Sequence, residues 1–277
     1  MKVKLVFLLV SISSIVISQN RYHVDNTTFL FYYDTVVKSK HDMKPINGVL
    51  YCDYGDIGTY VDGKNHDGLK RRWYKNGQLD YEYNLKDGKH DGLQREWYEN
   101  GQLSREENLK DEKHDGLQRY WYENGQLKFE GNAKDGKKDG LKRRWYENGQ
   151  LNYEYNFKDG KDDGLSRRWY ENGQLSHEYN FKDGELDGLC RDWWYEDDQL
   201  SSERNFKDGE LDGLSRTWYE NGQLEWECNY KDGERDKRRE WYENGQLQYE
   251  ENYKDGKLIR KKCFDVDGNK IKCALKQ

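Results

Sequence analysis

Eight glutamates recur at one position of a repeated phrase: Glu82, Glu106, Glu130, Glu154, Glu178, Glu203, Glu227 and Glu250. An arginine two residues before a recurrent tryptophan accompanies each, from Arg71, Arg95 and Arg119 through to Arg239. Carboxylates in such number invite general acid–base chemistry, which needs groups of different pKa converging on one pocket. Near-equal copies give no position that privilege, and an Arg across from a Glu reads instead as a cross-strand ion pair screening the tryptophan row. His66, His90 and His114 also share one repeat position, which in a sheet sets them ~10 Å apart, whereas ligands of one metal lie ~2 Å from it. The recurring "DGKxDG", with Asp87 and Asp91 as an example, offers oxygen ligands but lacks the fuller spacing of calcium loops, and turn formation accounts for it better. There is no Gly-rich phosphate loop, nucleophile elbow or Ser/His/Asp pattern. The sequence therefore gives no catalytic residue, metal site or cofactor, and the expectation is a protein that is not an enzyme.

The elements that carry these residues follow from the period. Trp73, Trp97, Trp121, Trp145 and Trp169 stand 24 residues apart, and Trp193, Trp218 and Trp241 continue the series with one insertion and one deletion. Two turn signals punctuate each copy: Asn-Gly, as in Asn76-Gly77 and Asn100-Gly101, and Asp-Gly, as in Asp87-Gly88. Both favour the two-residue type I′ turn, and strand-length, aromatic-rich segments such as "QLDYEYNLK" lie between them. On that turn, Tyr74 faces Leu79, Trp73 faces Asp80, Arg72 faces Tyr81 and Arg71 faces Glu82. Tyr74, Leu79, Tyr81, Tyr83 and Leu85 then share one face, and Leu69, Arg71, Trp73 and Glu82 the other. The expected fold is all-β: an elongated antiparallel hairpin array, a meander or β-solenoid of about eight repeats with terminal caps. About 17 strands at ~4.8 Å make it roughly 80 Å long, with ladders of Trp and Tyr joining copies that cannot bury their apolar side chains alone.

Residues 1–18 read as a signal peptide, with Lys2 and Lys4 ahead of an apolar run from Leu5 to Ile17 and small residues before a cut at Gln19. Residues 19–46 form an N-terminal segment that supplies an edge strand or stays partly loose. Residues 47–61 make a capping half-repeat, 62–258 the eight repeats, and 259–277 a capping repeat in which "CFDVDGNKI" imitates the phrase without its Trp. The expectation is export, to periplasm, cell surface or medium. The chain has an apolar fraction of 34% against 36% charged, and a net charge of −6. That balance argues against nucleic acid and against membrane contact beyond the leader. The five cysteines are odd in number and irregularly spaced. If Asp267-Gly268 is the last turn, position 263 faces 272, Cys263 and Cys273 point to opposite faces, and the spacing favours small buried residues over a bond.

"YENGQL" followed by "KDGKxDGL" in tandem, from about Asn47 to Ile271, resembles the MORN repeat variant of the bacterial YwqK-family antitoxins. The resemblance implies a hairpin array that acts as a protein-interaction scaffold, with an antitoxin or immunity protein neutralising a partner toxin by direct binding. A rival reading is a cell-envelope carbohydrate- or choline-binding module, in which aromatic faces stack on sugars or cage a quaternary ammonium. If the partner site has one address, it lies where the repeat breaks, between Cys190 and Trp241. Trp194 reads there as a β-bulge, "EDDQL" replaces "ENGQL", and Trp226 takes a position held by Tyr elsewhere. Trp193, Trp194, Tyr195, Trp218, Trp226 and Trp241 are the candidate contact residues. Edge-to-edge self-association of arrays is left open.

Overall fold

The Asp-Gly turns set the architecture. Asp87 and Gly88 both take positive φ, 51° and 72°, so the chain reverses in two residues and Lys86 pairs with Lys89. Such a turn twists in the same sense as the strands it joins. The computed structural model describes residues 20–23, 27–29, 37–39, 44–61, 64–195 and 198–273. It repeats this turn down the chain, and at Asp111-Glu112 a glutamate holds φ 65° where other copies place glycine. Strands from Gly68–Trp73 to Lys257–Phe264 and Lys270–Ile271 pair antiparallel in chain order as one open meander. The fold is all-β, as the period predicts.

After the Asp-Gly turns of the 24-residue copies the pairing slips by two residues, and after Asp232-Gly233 and Asp255-Gly256, where the repeat is one residue shorter, by one. Leu85 faces His90, Glu82 faces Arg95, and Asp91 and Gly92 are absorbed between them. A slip of two leaves every later side chain on its own face. Tyr81 sits opposite Arg72 and Tyr83 opposite Lys70 on one side, with Glu82 opposite Arg71 on the other.

The Asn-Gly turn differs from the expectation. Only Gly77 takes positive φ there, at 88°. Gly77 N–H donates to the Tyr74 carbonyl at 3.0 Å and Tyr74 N–H to the Gln78 carbonyl at 2.8 Å. This is a three-residue loop whose glycine forms a bulge. It shifts the end of the hairpin: Trp73 faces Leu79 instead of Asp80, and Tyr74 meets Gln78 instead of Leu79. The Asn76 side chain explains the choice, because its Oδ1 accepts the Gln78 N–H at 3.0 Å and so spans the loop.

The same loop closes the last hairpin and overturns the cysteine expectation. Gly268 N–H donates to the Asp265 carbonyl and Asp265 N–H to Asn269, so Cys263 faces Ile271. Two residues on, Cys273 is back on the face of Cys263, and the two form a disulfide with Cα atoms 5.3 Å apart. Cys190 and Cys228 are free and buried, and Cys52 is free and half-buried.

At the N-terminal end, Asn20–His23 pairs parallel with Gly48–Cys52, which pairs antiparallel with Gly55–Val61 and then Lys64–Asn65. Thr27–Phe29 and Val37–Ser39 form a separate ribbon. The proposed signal peptide lies outside the described residues. Ile46, Leu50 and Tyr60, with Ile57 against them, form an apolar core in this cap. Within the repeats the most buried column is polar instead. It lies three residues before the tryptophan, where Lys70, Gln94, Gln118, Ser166, Cys190 and Ser215 are all buried.

Candidate functional site

The expected Trp ladder is a ladder of another kind. Among the described residues the close ring pairs are of Tyr, Phe and His, as in Tyr81–Tyr83 at 5.0 Å and Tyr153–Tyr155 at 4.8 Å, and none involves Trp. What the tryptophan lends its neighbour is its backbone carbonyl. Tyr74 donates its hydroxyl to the Trp97 carbonyl at 2.6 Å, Tyr98 to Trp121 at 2.7 Å, Tyr122 to Trp145 at 2.8 Å and Tyr146 to Trp169 at 2.9 Å. Tyr170 continues to Trp193, Tyr219 to Trp241 and Tyr242 to Phe264 of the terminal hairpin.

Three further rungs repeat beside this one. The Asn76 and Asn100 amides donate to the carbonyls of Glu99 and Glu123. Gln78 covers Gly101 so closely that a Cβ there would lie 2.7 Å from its Oε1. Asp67 accepts the N–H groups of Asp87 and Gly88, which hold its carboxyl below the usual range. Tyr, Asn and Asp of one copy thus hydrogen-bond to the backbone of the next.

The Arg and Glu columns meet in every copy. Nε of Arg71 lies 2.7 Å from Glu82, Arg95 2.9 Å from Glu106 and Arg119 2.8 Å from Glu130, and the row runs on to Arg239 and Glu250 at 3.1 Å. Some arginines also reach back, as Arg191 does to Glu178 at 3.6 Å. Lys262 and Arg239 together hold the Glu250 carboxyl down to about 2. Every carboxylate in this row is spent on a guanidinium, which leaves no free acid–base pair.

Two other constellations test for chemistry. Ser176 Oγ lies 2.8 Å from His177 Nδ1, and His177 Nε2 lies 3.7 Å from Asp192. Yet the Ser176 hydroxyl donates to the Arg168 carbonyl, and Ser176 is not in the lining of the cleft that holds His177, so the hydroxyl is not poised as a nucleophile. Burial also pulls His177 below its ordinary pKa. Glu107, 2% exposed, accepts from Arg105 at 2.7 Å and from Tyr120. Burial and that carboxylate push the Tyr120 phenol up to about 12. Among the described residues no three of His, Cys, Asp and Glu converge on a metal position.

Among the described residues the tyrosine ladder breaks once, where the sequence is irregular. Trp194 is not a strand bulge: Arg191 still faces Glu203, and Trp193 faces Leu200 with the slip that every copy has. The extra residue widens the turn instead, because Trp194 N–H donates to the Gln199 carbonyl and Asp198, φ 56°, takes the glycine's conformation. Trp194 therefore stands where other copies have the ladder tyrosine, and it has no hydroxyl to give. Its indole N–H is buried without a partner. Beside it opens a cleft of about 530 Å³ lined by Trp194, Trp218, Tyr219, Glu220, Glu225 and Glu243 together with Asn221.

Of the six contact candidates, the fold brings Trp194 and Trp218 together in this cleft. Trp193 and Trp241 serve as ladder acceptors, and Trp226 lies between Thr217 and Glu240 on neighbouring strands. Tyr195 is 54% exposed and packs edge-on against Tyr170 at 4.9 Å. The acidic wall was not foreseen, since Glu225 and Glu243 come from different copies and only the pairing register brings them close.

An open hairpin array whose copies are joined by repeated backbone-directed rungs is a repeat scaffold. The MORN repeat variant matches residues 67–87, 91–111, 115–135, 138–159, 162–183, 211–232 and 237–255, more than half of the chain. The chain belongs to this family, which is in general a non-enzymatic scaffold. The copy between residues 183 and 211, which carries Trp193 and Trp194, falls between matched segments. No curated protein matches the chain. Among solved structures it is similar to chains in the crystal structures of TcdB2-TccC3 and TcdB2-TccC3-Cdc42, at 11% identity, with TM-scores of 0.21 and 0.20. In both, 71% of this chain aligns, and it spans 13% of the solved chain.

Proposed function

We propose that this chain is a non-enzymatic scaffold that binds another protein, and that the Trp194 cleft receives a lysine or arginine side chain of that partner. The observation that carries the reading is the cleft that opens at the ladder break, walled by two indoles, a phenol and three carboxylates. Aromatic faces and carboxylates together suit a cation, and Trp, Tyr and Arg are the types that most often anchor interfaces. In the manner of the resembled antitoxins the partner is a toxin polypeptide, and the leader-like N terminus supports an encounter outside the cytoplasm.

The test uses residues 19–277 as bait, beside a variant with Trp194→Ala and Glu225→Gln, and identifies retained proteins by mass spectrometry. A polypeptide held by the first and lost by the second supports the reading. Equal retention by both overturns the site. The same lining also suits a quaternary ammonium, so retention on a choline resin with no protein partner captured favours the envelope-binding alternative.

A further inference from the structure

A second cavity, of about 690 Å³, lies at the other end of the array, between the N-terminal cap and the first repeat. One wall is a run of flat rings: Tyr81 stacks on Tyr83 at 5.0 Å, and Tyr83 on His90 at 4.7 Å. Trp73 and Tyr60 also line it. The roof is Tyr54, which donates to the Lys75 carbonyl at 3.0 Å and lies over Gly77, where other copies place a glutamine.

Its electrostatics run against the rest of this acidic chain. Among the described residues the lining contains Lys70, Arg71, Arg72 and Lys75 and no carboxylate. Arg71 and Arg72 are held by Glu82 and Asp80. Lys70 is 2% exposed, and its ammonium donates to the Thr59 carbonyl at 2.6 Å and lies 5.3 Å from the centre of the Tyr60 ring. Asp67 acts on it from a distance only, with its own oxygens taken by backbone N–H groups. Gln94, Gln118, Lys142 and Ser166 fill the same position in other copies, so strand pairing does not demand an ammonium there. A buried cation without a carboxylate partner is costly unless something meets its charge.

We propose that this cavity binds a small molecule with a flat aromatic ring and a carboxylate, the ring lying on the Tyr81–Tyr83–His90 wall and the carboxylate meeting Lys70. The volume is that of a typical small-ligand site. The site is separate from the Trp194 cleft, and each proposal stands or falls without the other.

The test is isothermal titration of the full chain with 2-naphthoate, its neutral counterpart 2-naphthalenemethanol, and cyclohexanecarboxylate. The expected result is that 2-naphthoate binds at least about tenfold tighter than either, a margin of ~1.4 kcal/mol. Lys70→Met abolishes the preference of acid over alcohol while the ring still binds. Tyr54→Ala, at a residue 51% exposed and so tolerant of truncation, weakens both naphthalene probes. Trp194→Ala changes neither. The proposal is overturned if 2-naphthoate does not bind, if the three probes bind alike, or if Lys70→Met keeps the acid preference. Should Lys70→Met fail to fold, unchanged 2-naphthoate binding in Tyr54→Ala overturns it equally.

Discussion

The hydroxyl of Tyr122 donates to the carbonyl of Trp145 at 2.8 Å, joining two copies of the repeat across 23 residues of chain. The bond satisfies a backbone acceptor at the bulge where the strand leaves regular pairing. Tyr122→Phe is expected to cost about 1 kcal/mol, the net value of one such bond, read from the urea midpoint at unchanged slope. Trp194→Tyr, which restores the missing hydroxyl, is expected to raise the midpoint. A neutral Tyr122→Phe removes the ladder as a source of stability.

Gly125 takes φ 85°, and a Cβ built there lies 2.9 Å from Oε1 of Gln102 in the preceding copy. Gly125→Ala is therefore strained by conformation, at about 1–3 kcal/mol, while the Gln102 amide end can turn aside from the new methyl. A double-mutant cycle with Gln102→Ala is expected to be additive, and a clear recovery of stability would mean that the glutamine is held against the turn.

Glu250 loses its proton more readily folded than unfolded, its pKa falling from 4.5 to about 2 under the hydrogen bonds of Lys262 and Arg239. A depressed carboxyl lends stability that is complete above the unfolded value and is lost as pH falls through the folded one. The stability gap between wild type and Glu250→Gln is thus expected to be constant above about pH 5 and to shrink between roughly pH 4.5 and 2. Chemical denaturation at pH 6, 4 and 2.5 checks it, and a gap that stays constant rules out this linkage.

The Cys263–Cys273 bond closes a short loop with a sequence separation of 10. Loop-closure entropy gives such a link about 2.5 kcal/mol. Reduction, or Cys263→Ser, is expected to loosen the terminal hairpin first. Hydrogen exchange should then quicken at Asp265 and Gly268, whose N–H groups close its turn, while the middle copies stay protected.

Much of this was legible from spacing alone. Asp87-Gly88 dictates its turn because both residues tolerate positive φ, and the even period keeps Arg71 opposite Glu82. The Asn-Gly loop was misread by one residue. That dipeptide suits two turn types, and the deciding contact, Asn76 Oδ1 with the Gln78 N–H, comes from a side chain that composition cannot orient. The disulfide followed the same slip. The tryptophans were legible as a row but not in their role, since period says where a residue recurs and not whether its ring or its carbonyl does the joining. Neither cavity was visible, because Tyr54 with His90, and Glu225 with Glu243, meet only through register.

The absent hydroxyl at Trp194 also has a mechanical meaning. A zip fastener with one tooth missing parts at the gap, whichever end is drawn. Six copies lie before the gap, and two copies with the terminal hairpin after it, so a ribbon stretched from its ends should yield there first, between Trp194 and Trp218, and release two blocks that each remain fastened.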